Sequence, residues 1–159
     1  MGAGDRSVQS DKSTLGGHRH VCAFFNSLDE QYRVLRPFIK DGVDRGERAL
    51  HIVDPEVRDE HLKRLGEAGV DVERSMASGQ LTVRLWQDAY RREDRFDQDA
   101  MLAMIEEQLQ SAAAGSRRIR LMAQMEWSLI HKPDVDDLLE YETRLNYVLP
   151  RYDAPLICT

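Results

Sequence analysis

Apolar and polar positions alternate along this chain in blocks with two distinct periods. Val21 to Phe25 is an almost unbroken apolar run and predicts a strand buried on both faces. Leu28, Tyr32, Leu35, Ile39 and Val43 then recur at three- and four-residue steps, one stripe of an amphipathic helix. Ser27 and Glu30 supply an S-x-x-E capping box at its start, and Gly46 supplies a stop. Pro37 falls inside this helix and predicts a kink or a division into two. Ala49 to Val53 is a second buried strand, so the stretch reads as a βαβ crossover.

The alternation continues to the end. Asp54 and Pro55 cap and open a helix to about Ala68, and Val70 to Gly79 reads as a loop with one helical turn. Leu81, Val83 and Leu85 alternate with polar neighbours up to Trp86, the pattern of a strand near the sheet edge. Gln87 to Arg95 is a charged connection, followed by a helix from Asp97 to about Ala114. A fourth strand spans Arg118 or Ile119 to Met125, and the arginines Arg117, Arg118 and Arg120 read as its solvated entry. A last helix opens at Pro133-Asp134 and closes at Pro150, and Ala154 to Thr159 reads as a fifth buried strand. The pattern predicts an α/β three-layer sandwich around a mostly parallel sheet of five or more strands. Residues 1–17 are Gly-, Ser- and charge-rich without apolar period and read as a mobile tail, leaving one domain over 18–159. A chain that stops inside a core strand reads as a domain truncated at its C-terminal end. An exposed edge on the fifth strand leaves a homodimer open.

Composition narrows the classes. At 159 residues, 42% hydrophobic and 31% charged, the chain is of ordinary globular make-up. A formal charge of -6 argues against nucleic acid as a direct partner. No apolar run has the length of a membrane span and no leader peptide is visible, so a cytoplasmic location and no membrane partner are expected. In that compartment Cys22 and Cys158 read as reduced core thiols.

In a parallel sheet, ligands sit outside the carboxyl ends of the strands. The candidate rim is therefore Asn26-Ser27, Asp54, Gln87 to Tyr90 and Glu126 to Ser128. The turn after strand one, NSLDEQYR, has no glycine and no lysine, and Asp29 and Glu30 would repel an anion. That argues against an NTPase, and no G-x-G-x-x-G occurs to support a dinucleotide. His18, His20 and Cys22 alternate and would share one face of a strand, either as metal ligands of a metal-assisted hydrolase or as tail, strand mouth and core. His51 sits within an apolar strand, either as a hydrogen-bonded core histidine or as a ligand contact, while His61 and His131 read as surface residues. Glu126 is the best-placed acid for a general base, with capping as its alternative role. Trp127 is a ligand wall or a core anchor.

Five segments in order, HVCAFF, PFIKDGVDRGERALHIV, RFDQDAML, RLMAQMEWSL and LLEYETRLNYVLPRYDAPLICT, resemble the MEDS domain (methanogen/methylotroph, DcmR sensory domain) from about His20 to Thr159. The resemblance implies a RecA/KaiC-like fold without its nucleotide-binding loop. It also implies a sensory role towards small hydrocarbon derivatives in kinases, transcriptional regulators or stand-alone signalling proteins. It places His20, Phe24, Phe25, Met125, Trp127, Tyr141 and Glu142 at the family's characteristic positions. Ala123-Gln124 stands where relatives carry Gly followed by an acid, so no acidic role transfers to Gln124.

The expected function is thus a non-catalytic sensory domain, without cofactor, that binds a small, mostly apolar ligand and relays to a signalling partner or effector domain. Its candidate ligand-binding residues are His20, Phe25, Asn26, His51, Asp54, Tyr90, Glu126 and Trp127. The alternatives are the metal-assisted hydrolase and a degenerate ATPase fold kept as a protein-interaction module.

Overall fold

The computed structural model describes residues 9–10, 13–14, 19–92 and 95–159, with side chains over 19–88 and 96–159. The expected tail lies outside the described residues, save for Gln9–Ser10, which pairs antiparallel with Ser13–Thr14. The main sheet consists of β1 (His20–Cys22), β2 (Arg48–Val53), β3 (Leu81–Leu85), β4 (Ile119–Ala123) and β5 (Leu156–Cys158). All its pairings are parallel, in the order β1-β5-β4-β2-β3. The expected βαβ unit is therefore split, because β5 and β4 are inserted between β1 and β2.

The helices are α1 (Leu28–Asp44), α2 (Arg58–Glu67), α3 (Val72–Ala77), α4 (Trp86–Tyr90), α5 (Gln98–Ala114), α6 (Glu126–His131) and α7 (Val135–Val148). Side chains of successive strand residues point to opposite faces, and the two faces bury two separate clusters. On one face Ala49, Val53, Met122 and Ile157 pack under Leu35, Phe38 and Ile39 of α1 and Leu65 of α2. On the other, Leu50, Ile52, Leu121, Ala123 and Leu156 pack under α5 (Met101, Ile105, Leu109) and α7 (Tyr141, Leu145). This is the three-layer arrangement that the periodicity predicts. None of the described helices is long and apolar enough to cross a membrane.

Local signals act as expected at several ends. The Ser27 hydroxyl accepts from the Glu30 N–H at 3.2 Å, and the Glu30 carboxylate reaches back to the N–H and side-chain amide of Asn26 at 2.8 and 3.0 Å. Asp54 caps the 3-10 turn Pro55–Val57 that leads into α2. Gly46 and Gly69, at φ +72° and +83°, adopt the left-handed conformation that ends α1 and α2.

Several expectations need correction. Strand one is not buried on both faces: β1 is a three-residue edge strand, and Phe24 is 96% exposed. Strand five is not an edge but lies between β1 and β4, so it offers no free edge for a second copy. Pro37 does not divide α1, since Leu35, Phe38 and Ile39 pin both halves to the same sheet face. Trp86 opens α4 rather than ending a strand, and is buried. Arg120 is no solvated entry but is 2% exposed, a point taken up below. Cys22, expected in the core, is exposed.

Candidate functional site

The carboxyl ends of β1, β5 and β4 open into a cavity of about 360 Å³. Its walls are largely apolar: Ala23, Phe24 and Phe25 follow β1, Met125 follows β4, and Leu129 comes from α6. Gln31 of α1, Glu126 and Ser128 add polar groups, and Cys22, Cys158 and Glu142 lie at its base. The end of β5 is tied into this floor. The Thr159 N–H donates to the Ala123 carbonyl at 2.9 Å, its carbonyl accepts from the Met125 N–H at 2.8 Å, and its hydroxyl accepts from Gln31 at 2.9 Å.

The base of the cavity holds the densest chemistry. Cys22 of β1 stands opposite Cys158 of β5 in the parallel ladder, and His20 opposite Leu156. Period two places His20, Cys22 and Cys158 on the face covered by α7, where Glu142 meets them. His20 Nε2 is 3.2 Å from Glu142 Oε2 and 3.3 Å from Cys158 Sγ, and its Nδ1 is 3.2 Å from Asn146 Oδ1, one turn along α7. One ligand atom from each of His20, Cys22, Glu142 and Cys158 can be chosen so that all four lie within 4.8 Å of one another. A hydrogen bond from the Cys158 thiol, outweighing burial, brings the Cys22 thiol down to about 7. The same bond, helped by burial, holds Cys158 well above the usual thiol range. Burial pushes the Glu142 carboxyl up, against the pull of His20.

The sequence-predicted residues divide between this site and other places. Phe25 and Glu126 line the cavity, and His20 belongs to the group at its base. Burial raises the Glu126 carboxyl, with a further push from the charge of nearby Asp54. Asp54 itself caps the turn after β2, and its N–H donates to Gln124 Oε1 at 2.7 Å. Asn26 is exposed and holds the turn before α1 through Glu30. His51 is buried on the opposite sheet face, its Nδ1 3.0 Å from Nε2 of His61, whose Nδ1 bonds the Tyr32 hydroxyl. Trp127 is 1% exposed and packs against Phe96 at 5.2 Å between ring centroids, so it is a core anchor. Tyr90 ends α4 with its side chain outside the described residues, as is all of His18. The hydrolase triplet of His18, His20 and Cys22 is thus described only in its last two members, and these find Glu142 and Cys158 instead.

His61, expected at the surface, is fully buried. Sequence reasoning also missed that Cys158 and Glu142 meet His20 and Cys22. The cysteines could have been paired by aligning the two short strands in parallel register. Glu142 could not, because nothing local says which helix covers that face.

A model of the family described as the methanogen/methylotroph, DcmR sensory domain matches residues 19–159. The chain belongs to the MEDS family. It is also similar to the transcriptional repressor DcmR of Methylorubrum extorquens, with 26% identity over 133 residues. That match covers 83% of this chain and 47% of the repressor, so the chain spans about half the length of the relative. The MEDS positions named by the resemblance fall into two groups here. His20, Phe24, Phe25, Met125 and Glu142 line the cavity or its base, while Trp127 and Tyr141 are buried beside it.

Proposed function

We propose that this MEDS domain binds a small, mostly apolar organic molecule in the cavity at the carboxyl ends of β1, β5 and β4. The observation that carries the reading is the cavity itself. Its volume of about 360 Å³ suits a small molecule, and its wall is aromatic and aliphatic with a few polar groups on one side. The turn at Asn26-Ser27, which in a nucleotide-binding sheet would cradle phosphate, here bonds internally to Glu30 and presents no lysine. The ligand is bound and not turned over. Phe25 and Leu129 supply apolar contact, and Glu126 and Gln31 supply polarity. The sensory description of the family and the repressor activity of DcmR support a regulatory output, relayed to a signalling protein or effector domain. Leu129 of α6 lines the cavity, Ile130 of α6 and Val135, Leu139 and Tyr147 of α7 are likewise large, apolar and exposed, and these two helices supply the surface on which that partner docks.

A thermal-shift screen tests the reading, with halogenated and one-carbon compounds and small alcohols against ATP and GTP with magnesium. Saturating organic ligand should raise the midpoint by several degrees, with the compound recovered unchanged. Phe25→Ala should abolish the shift. A shift with magnesium-ATP and none with organic compounds would overturn it.

A further inference from the structure

The group beneath the cavity has a composition that hydrogen bonding alone does not call for. Two thiols, an imidazole and a carboxylate converge from three separate elements, β1, β5 and α7. Among the described residues the only ion-pair partner of Glu142 is His20. We propose that His20, Cys22, Glu142 and Cys158 form a four-ligand site for zinc(II).

Geometry, donor chemistry and orientation each support this. Tetrahedral zinc with ligand bonds of about 2.0–2.3 Å has ligand-to-ligand edges of about 3.3–3.8 Å. Here His20 Nε2 already stands 3.2 Å from the Glu142 oxygen and 3.3 Å from the Cys158 sulfur, and the whole set fits within 4.8 Å. Small side-chain rotations suffice to close it. Two sulfurs, one nitrogen and one oxygen make a set of intermediate softness, which favours zinc over magnesium or calcium, cations that require all-oxygen shells. The imidazole is also held as a ligand should be. Asn146 Oδ1 takes the Nδ1 proton at 3.2 Å, which fixes the tautomer and turns the Nε2 lone pair towards the sulfurs and the carboxylate.

With four protein ligands the site is closed, and its role is architectural. Zinc ties β1, an edge strand with one neighbour, to β5 and to α7, and so sets the floor against which an organic ligand rests. The inference goes beyond the sensor reading and does not require it, since zinc is measured with no organic compound present. Failure of either leaves the other standing.

The test uses the whole chain, without a histidine tag and fully reduced. Metal content is measured first, and the chelator-stripped protein is then titrated with zinc against a chromophoric competitor and, separately, with cobalt(II). The expected results are close to one equivalent of zinc, and a cobalt spectrum with a thiolate charge-transfer band and intense tetrahedral visible bands. Zinc should also raise the thermal midpoint of the stripped protein by several degrees. Cys22→Ser, at an exposed position that the fold tolerates, should weaken zinc binding by at least tenfold. Asn146→Ala should weaken it by roughly 10- to 100-fold through the loss of ring orientation. Less than about a tenth of an equivalent with no saturable rebinding overturns the proposal. So does a cobalt complex without the thiolate band, or zinc binding that Cys22→Ser leaves unchanged. The wild-type cobalt spectrum decides sulfur ligation even if a variant fails to fold.

Discussion

Two polar clusters sit at opposite ends of the same parallel sheet, and they follow different physical rules. At the amino end, Arg120 of β4 is enclosed under α1. Its Nε donates to the Glu47 carboxylate, one terminal nitrogen bonds Asp41 at 2.6 Å, and the other bonds the Phe38 carbonyl at 2.8 Å. The Phe38 ring lies 5.2 Å from the guanidinium. One cation thus meets two anions, a carbonyl and a ring face, with the Arg120 and Glu47 side chains 3% and 7% exposed. At the carboxyl end, His20, Cys22, Glu142 and Cys158 bring together lone pairs with one imidazole among them, beside an open cavity. A cluster of mutually paired charges beneath a helix serves the fold. A cluster rich in lone pairs and open to a cavity is the arrangement that the zinc proposal calls on.

The contrast can be broken most sharply at its structural end. Arg120→Met leaves buried Glu47 with only the longer contact to Arg118 at 3.6 Å, and should cost up to about 3–5 kcal/mol of stability in urea unfolding. Restored stability in the Arg120→Met, Glu47→Leu double variant would confirm that the cost lies in the under-compensated Glu47 charge. If instead the single variant is as stable as wild type, the amino-end cluster contributes nothing and the contrast fails.

A second buried group, the pair His51 and His61, makes stability depend on pH. Burial holds both rings neutral, His61 down to about 4 and His51 well below 6.5, the latter also through the neighbouring ring. The unfolded chain takes up protons near pH 6.5 and the folded chain does not. Stability is therefore fully present above pH 6.5, and it falls as pH drops towards 4, by roughly 3 kcal/mol for His61 alone. Urea unfolding across that window reads the slope, and a flat profile would show that the rings are charged or exposed when folded.

Smaller effects sharpen the comparison further. A Cβ on Gly42 would lie 2.8 Å from Arg120 Cδ, so Gly42→Ala should cost about 1–3 kcal/mol by pushing the guanidinium off its partners. Leu129→Ala, at a side chain 76% exposed, should change stability by no more than about 0.5 kcal/mol while reducing the ligand-induced thermal shift. A residue that matters to binding and not to folding is what the carboxyl end should contain.

Much of this architecture is legible in sequence because it depends on local periods. The strands at Ala49–Val53 and Leu81–Leu85, the caps at Ser27 and Asp54 and the stripes of α1 and α5 all follow from spacing. The absence of a phosphate cradle is equally local. What spacing does not carry is order across the sheet. The run Val21 to Phe25 is as apolar as an interior strand, yet it sits at an edge, because its second half lines a cavity. Arg120 reads as a surface charge until Glu47 and Asp41, more than seventy residues earlier, are seen to enclose it. Of the candidate site, Phe25, Glu126 and His20 were within reach of strand-end reasoning. Trp127 satisfied the same rule and yet faces the packed interior, because a strand end has two sides and only one of them is open here, while His51, a candidate from within its strand, is buried on the opposite sheet face.

The strand order has a consequence for synthesis. Among the described residues β1 pairs with no strand but β5, and His20 meets Cys158 across 138 residues of sequence. Closing so long a loop is entropically unfavourable until β2, β3 and β4 have formed a surface on which β5 can land. On the ribosome, β1 would leave the tunnel first and wait for nearly all of the domain before finding its neighbour. The thiols, imidazole and carboxylate at the cavity floor can meet only once β5 has paired with β1, so a chain stopped short of Cys158 lacks the floor of the cavity.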